Sequence, residues 1–294
     1  MARKIRLLIE YEGTAYYGWQ MQTPERVTIQ ALLEEAVRRV TGGFSRVHGA
    51  GRTDAGVHAF GQVATFITEC RIPGPQIAKA LNTQLPRDVC VLKSEDVEMD
   101  FDARRHARGK IYQYHILNRD IRSGLLRHRA GHVREALDLE RMRQAARHLQ
   151  GEHDFTSFQA AGCAAKHAVR YIYKLDLARA NFHPDVIVLE IFATAYLKHM
   201  VRNIAGTLIE VGAGRREPED LAAILAAKDR RAAGQTAAPG GLYLVKIFYL
   251  DDPPPPELMR LIPPSHLLKR DLYRAAHPGP VGDATPPQDD DGDD

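Results

Sequence analysis

A chain of 294 residues with 44% hydrophobic content is long enough to bury a sizeable core, as one large or two moderate domains. It has no run of about 18 apolar residues, and its start, MARKIRLLIEYEG, passes from a short basic cluster straight into an alternating pattern; neither a membrane-spanning helix nor a secretory signal is expected, and the predicted location is the cytoplasm. The net charge of +3 conceals an asymmetry: residues 251–294 hold ten acids and four bases, leaving 36 bases against 27 acids in residues 1–250, a basic body suited to a polyanion such as nucleic acid and equally compatible with plain solubility.

In chain order, Lys4 to Tyr11 alternates with Ile5, Leu7, Ile9 and Tyr11 on one face, which predicts a strand. Gly13 to Pro24 is a loop carrying Tyr16, Tyr17, the single tryptophan Trp19 and Gln20, either a core plug or a stacking platform. Thr28 to Val40 spaces Ile29, Leu32, Leu33, Ala36, Val37 and Val40 at threes and fours, an amphipathic helix with Thr28 as N-cap and Gly42 as its stop. The stretch GAGRTDAGVHAFGQVATF at 49–66 puts Asp54 in a tight loop, where glycines at 49, 51 and 56 relieve limits on φ, just before a strand near Gln62 to Thr68. That arrangement presents a reactive carboxylate, and Asp-Ala-Gly is equally ordinary turn chemistry. A helix near Pro75 to Leu81 follows. ARRHARGK at 103–110 then runs into IYQYHILN at 111–118, a strand with Tyr112, Tyr114 and Ile116 on one face. These tyrosines are either strand packing or a surface on which an unpaired base stacks.

The second half repeats the plan. A helix is predicted from Asp138 to Gln150 with Gly151 as its cap, then alternating strands from Val169 to Leu177 and Val186 to Phe192 around a turn at Asn181 to Pro184. A helix over about Leu197 to Val211 gathers Leu197, Met200, Val201, Ile204, Leu208 and Val211 on one face, which puts Arg202 nearly opposite. Arg202 is then either solvated or, because Ala205 and Gly206 let another element come close, turned into a cleft toward a carboxylate. A shorter helix starts near Pro218, and a last strand covers Leu242 to Leu250. The fold class is α+β: two similar αβ halves, 1–104 and 105–250, each an antiparallel-leaning sheet with helices on one side. Residues 251–294, with Pro253 to Pro256 and a final DDDGDD, read as a disordered tail. Cys70, Cys90 and Cys163 form no CxxC pair and imply buried thiols rather than disulfides or a zinc site. GAGRTD lacks the GK[ST] of a phosphate loop, and the 13 histidines contain no HExxH.

GRTDAGVHA at 51–59 resembles the catalytic signature of the TruA family of tRNA pseudouridine synthases. YYGWQMQ at 16–22, KIYQYHI at 110–116, GEHDFTSF at 151–158, LKHMVRNIAGTLIEVG at 197–212 and GLYLV at 241–245 match further blocks in family order. The resemblance spans residues 4 to 250 and does not reach the tail. It implies the pseudouridine synthase fold with a catalytic cleft between the halves. It also implies isomerisation of uridine to pseudouridine at positions 38 to 40 of the tRNA anticodon arm, without cofactor or metal, by a homodimer whose two subunits both touch the tRNA. Residue by residue, Asp54 matches the catalytic aspartate, Arg202 the arginine that pairs with it, Tyr112 the tyrosine that stacks on the target base, and Arg52 a residue that assists flipping of the nucleotide.

The chemistry fits those residue types. Moving uracil from an N1 to a C5 link needs a carboxylate that acts at the ribose, as nucleophile or as base, and a nearby guanidinium keeps such a carboxylate ionised despite partial burial. Two rivals use the same residues: an RNA or nucleoside N-glycosidase that releases free base, and a tRNA-binding protein without chemistry in which Asp54 is only a turn.

Overall fold

The computed structural model describes residues 1–249. The predicted tail and the last residue of the predicted final strand lie outside them. Ten strands form one sheet, β1 (Arg3–Tyr11), β2 (His48–Gly49), β3 (His58–Thr68), β4 (Val89–Val97), β5 (Gly109–Asn118), β6 (Gly131–Val133), β7 (Gly151–Asp154), β8 (Val169–Arg179), β9 (Val186–Ala193) and β10 (Leu242–Phe248). Its order is β4-β1-β3-β10-β5-β9-β8-β7, with β2 paired to β3 and β6 to β5. Pairing is antiparallel except at β10–β3 and β5–β6. Residues 1–104 supply β1–β4 and residues 105–249 the rest, and β10 returns from the far end of the chain to lie between β3 and β5.

Register decides which face is core. Ile5 faces Phe66 and Leu7 faces Ala64 across β1–β3, while Tyr112 faces Leu244 and Ile191, and Tyr114 faces Leu242 and Leu189 across β10, β5 and β9. All of these are buried in one cluster with the apolar stripes of α1 (Ile29–Thr41), α2 (Gly74–Asn82), α3 (Leu139–Arg147), α4 (Met200–Gly212) and α5 (Asp220–Ala227). The period of two along each strand sends Arg6, Leu8, His115 and Tyr243 to the other face, and the bulge in the β1–β3 pairing between Ile9 and Tyr11 shifts Phe60 there too. There, Phe60 and Tyr243 stack at 5.0 Å between ring centroids.

Local signals set most boundaries. The Thr28 hydroxyl accepts from the Ala31 amide, and Gly42 ends α1 in the left-handed region, as the capping pattern predicts. Asp138 caps α3 through the Glu140 and Arg141 amides, but α3 stops at Arg147 rather than running to Gln150; residues 148–150 form tight turns and Gly151, at φ 94°, opens β7 instead of capping a helix. α4 likewise begins at Met200, not Leu197, because His199 takes a left-handed conformation and breaks the helical run. β4 has no counterpart among the predicted elements, since VCVLKSEDV alternates only weakly. The three cysteines are free, as expected, but half-buried rather than buried.

Candidate active site

Asp54 lies in the connection between β2 and β3, and the aromatic loop ahead of α1 holds that connection in place. The Trp19 amide donates to the Thr53 carbonyl at 3.0 Å and the Gly56 amide to the Tyr16 carbonyl at 3.3 Å. Gly18, at φ 86°, approaches so closely that a Cβ would sit 2.5 Å from the Thr53 carbonyl oxygen, a conformation and a contact that only glycine accepts. Trp19 is buried and Tyr16 nearly so, while Tyr17 is half exposed under Arg26; the loop is a plug at Trp19 rather than a stacking platform. Of the glycines at 49, 51 and 56, only Gly56 has positive φ. Gly49 makes room for the Trp19 indole and Gly51 for the Lys110 ammonium.

The carboxylate points across to the start of α4. Arg202 Nη1 donates to Asp54 Oδ2 at 3.1 Å, and Arg202 Nε donates to the Ala237 carbonyl at 2.8 Å. The Ala237 amide returns a bond to the Arg202 carbonyl at 3.1 Å. Segment 235–237 can run this close because Gly206 has no side chain: a Cβ there would overlap the Gln235 carbonyl. Of the two readings open for Arg202, the structure selects the cleft. The side chain is 13% exposed and its partner Asp54 31%, so the pair is partly desolvated and its attraction exceeds that of a surface pair.

Tyr112 projects from β5 toward the same loop. Its ring is buried and packs edge-on against Tyr196, 4.8 Å between centroids at 75°. Burial, with Tyr11 and Asp54 nearby, pushes its phenol pKa up, so the hydroxyl stays protonated at any ordinary pH. The Tyr196 hydroxyl lies 2.9 Å from both the Lys110 and the Ile191 carbonyl oxygens, which share its one proton. Arg52 stands exposed at the loop's tip, with no ion pair or hydrogen bond among the described residues. The structure therefore brings Asp54, Arg202 and Tyr112 together and leaves Arg52 facing outward from the same loop.

Several neighbours carry no role in the sequence pattern. Lys110 Nζ donates to the Ala50 carbonyl at 2.6 Å, and burial, with Arg104 nearby, pushes its pKa down to about 8. Tyr11 and Thr53 share a hydrogen bond at 2.8 Å, and Gln62 Nε2 donates to the Gly51 carbonyl at 2.7 Å. His199 Nε2 lies 3.4 Å from Asp54 Oδ2. Spacing holds a signal for two of them: Lys110 precedes Tyr112 by one strand repeat, and His199 precedes Arg202 by three residues, one helical turn. Among the described residues no group of three or more His, Cys, Asp or Glu side chains is placed to hold a metal ion.

A family model described as tRNA pseudouridine synthase matches residues 7–104 and 145–250. The tRNA pseudouridine synthase A of Myxococcus xanthus is 49% identical over 251 residues, covering 85% of this chain and 94% of that protein. Its namesake from Acetivibrio thermocellus is 44% identical over 247 residues, 84% of this chain and all of the relative. A solved structure of a Cbf5-Nop10-Gar1 complex is similar at a TM-score of 0.31 and 12% identity, over 83% of this chain and 59% of that one, too weakly to carry any argument. The motif blocks, the extent of the match and its identity level together make the chain a member of the TruA family of tRNA pseudouridine synthases.

Proposed function

We propose that the protein isomerises uridine to pseudouridine in the anticodon arm of tRNA, at positions 38, 39 or 40, with Asp54 as the reacting carboxylate. The observation that carries this reading is the asymmetric tethering of Asp54: Arg202 holds Oδ2, and among the described residues no donor is bonded to Oδ1, which is left to meet the ribose. The isomerisation breaks C1′–N1, forms C1′–C5, removes the proton from C5 and places one on N1. Oδ1 starts it either by bonding to C1′ as N1 departs or by taking the C2′ proton, and in both routes Arg202 orients the carboxylate. Tyr112 is the stacking surface that retains the detached uracil while it turns, with its ring angle set by Tyr196. Exposed Arg52 is placed to enter the stem and assist extrusion of the nucleotide, a step that costs about a few kcal/mol of stacking and pairing.

Residues 1–104 and 105–250 are proposed as two halves meeting at this cleft, in a cytoplasmic enzyme. No helix among the described residues is long and apolar enough to cross a membrane. A homodimer is part of the reading; exposed Phe60 and Phe182, on and beside the sheet face opposite the described helices, support it, and light scattering should return twice the 32.8 kDa chain mass.

The test is direct. Unmodified tRNA transcripts are incubated with wild type and Asp54→Asn, and pseudouridine is mapped by carbodiimide treatment and reverse transcription. Wild type should modify positions 38–40 and the variant should not. Release of free uracil would show an N-glycosidase instead, and an unaffected variant would remove Asp54 from the chemistry.

A further inference from the structure

Asp54 Oδ2 has a second neighbour. His199 Nε2 approaches the same oxygen at 3.4 Å, from the residue just before α4, three positions ahead of Arg202. The approach depends on an unusual backbone: His199 sits at φ 60°, ψ 4°, one of two non-glycine residues with positive φ among those described. A side chain in this region is disfavoured, and such residues persist where their surroundings fix them.

The surroundings here do so from both sides. The Ala160 amide donates to the Lys198 carbonyl at 3.0 Å, the Met200 amide to the Leu197 carbonyl at 3.1 Å, and the Asn203 amide to the His199 carbonyl at 2.9 Å. Leu197 and Met200 are both buried, so the chain must dip into the core, turn, and dip again within four residues. The left-handed step at 199 achieves this and leaves the imidazole on the cleft side. Burial pushes the imidazole pKa below its ordinary value, with Arg202, Lys198 and Arg230 acting the same way and Asp54 opposing. A neutral ring with its proton on Nε2 lies within reach of Oδ2 without setting a second full positive charge against Asp54.

We propose that His199 is a positioning residue for Asp54: its Nε2–H and Arg202 Nη1 together occupy Oδ2, fixing the carboxylate rotamer so that Oδ1 alone faces the substrate, and the left-handed turn before α4 is what aims it. The proposal rests on Asp54 being the reacting carboxylate.

Two variants separate ring from backbone. His199→Gly accepts the left-handed conformation and removes the donor; His199→Asn accepts it and keeps an amide donor. Single-turnover modification of tRNA transcripts and tRNA binding are measured for both, with thermal unfolding as the check on the fold. His199→Gly should slow the chemical step by about 10- to 100-fold, the effect of one hydrogen bond to a charged group carried into the rate, with tRNA affinity near wild type. His199→Asn should recover most of that loss. Wild-type turnover in His199→Gly, equal losses in both variants, or a loss expressed in affinity instead of rate would each overturn the proposal. Full activity of Asp54→Asn in the same assay would instead remove the reading on which it rests, so the two failures are distinguishable.

Discussion

Arg202 does two jobs with one planar group. Nη1 holds Asp54 while Nε holds the Ala237 carbonyl, and these donors diverge at an angle fixed by the guanidinium. A lysine supplies the charge without that fork. Arg202→Met should therefore lower the single-turnover rate about 10²- to 10³-fold, the range for removing one preorganised donor from a reacting centre, with a much smaller effect on tRNA affinity. Arg202→Lys should recover only a minor part of it. Rate and affinity falling together in Arg202→Met would reassign the side chain as a phosphate contact.

At the level of elements, the site is a junction between α4 and segment 235–237, closed by the missing side chain at Gly206. Two effects compete in Gly206→Ala. Alanine raises helix propensity, worth about 1 kcal/mol in a helix interior, while its Cβ overlaps the Gln235 carbonyl, an overpacking that costs about 1–3 kcal/mol and moves backbone rather than a flexible side-chain tip. The clash should win. Thermal unfolding should shift down, and because Ala237 is displaced from Arg202, activity should fall with it. An unchanged or raised unfolding midpoint together with full activity would show that α4 and 235–237 do not jointly set the arginine.

For the whole molecule, the sheet's centre holds a titratable weak point. His115 on β5 is 9% exposed, lies 4.5 Å from the Tyr243 ring of β10 and has Nε2 3.3 Å from Gln113 Oε1. Burial, with His58 nearby, pushes its pKa down to about 4 from an ordinary 6.5. A lowered histidine pKa means the unfolded chain binds more protons than the folded one below pH 6.5, so the stability is fully present above that value and is lost as pH falls toward 4. At pH 5 the loss is about 2 kcal/mol. Urea unfolding at pH 7.5 and pH 5 should show this drop in wild type and a smaller one in His115→Gln; parallel drops would locate the sensitivity elsewhere.

The sequence by itself determined the long elements and named the candidate site residues. Caps at Thr28 and Asp138, the stripes of α1 and α4 and the alternation of β1, β5 and β8 are local patterns, set by periods of 3.6 and 2 and by short-range hydrogen bonds, and they are legible wherever the signal repeats. Weakly alternating β4 and the short strands β2, β6 and β7 were not legible, because long-range pairing rather than propensity makes them strands. Whether Arg202 faced solvent or a carboxylate was equally undecidable from periodicity. The answer depended on segment 235–237 lying against Gly206, and on β10 crossing to the middle of the sheet to join Asp54's part of the chain to Arg202's. Asp54 and Arg202 are 148 residues apart in sequence and 3.1 Å apart in space, a distance that only the assembled tertiary structure sets.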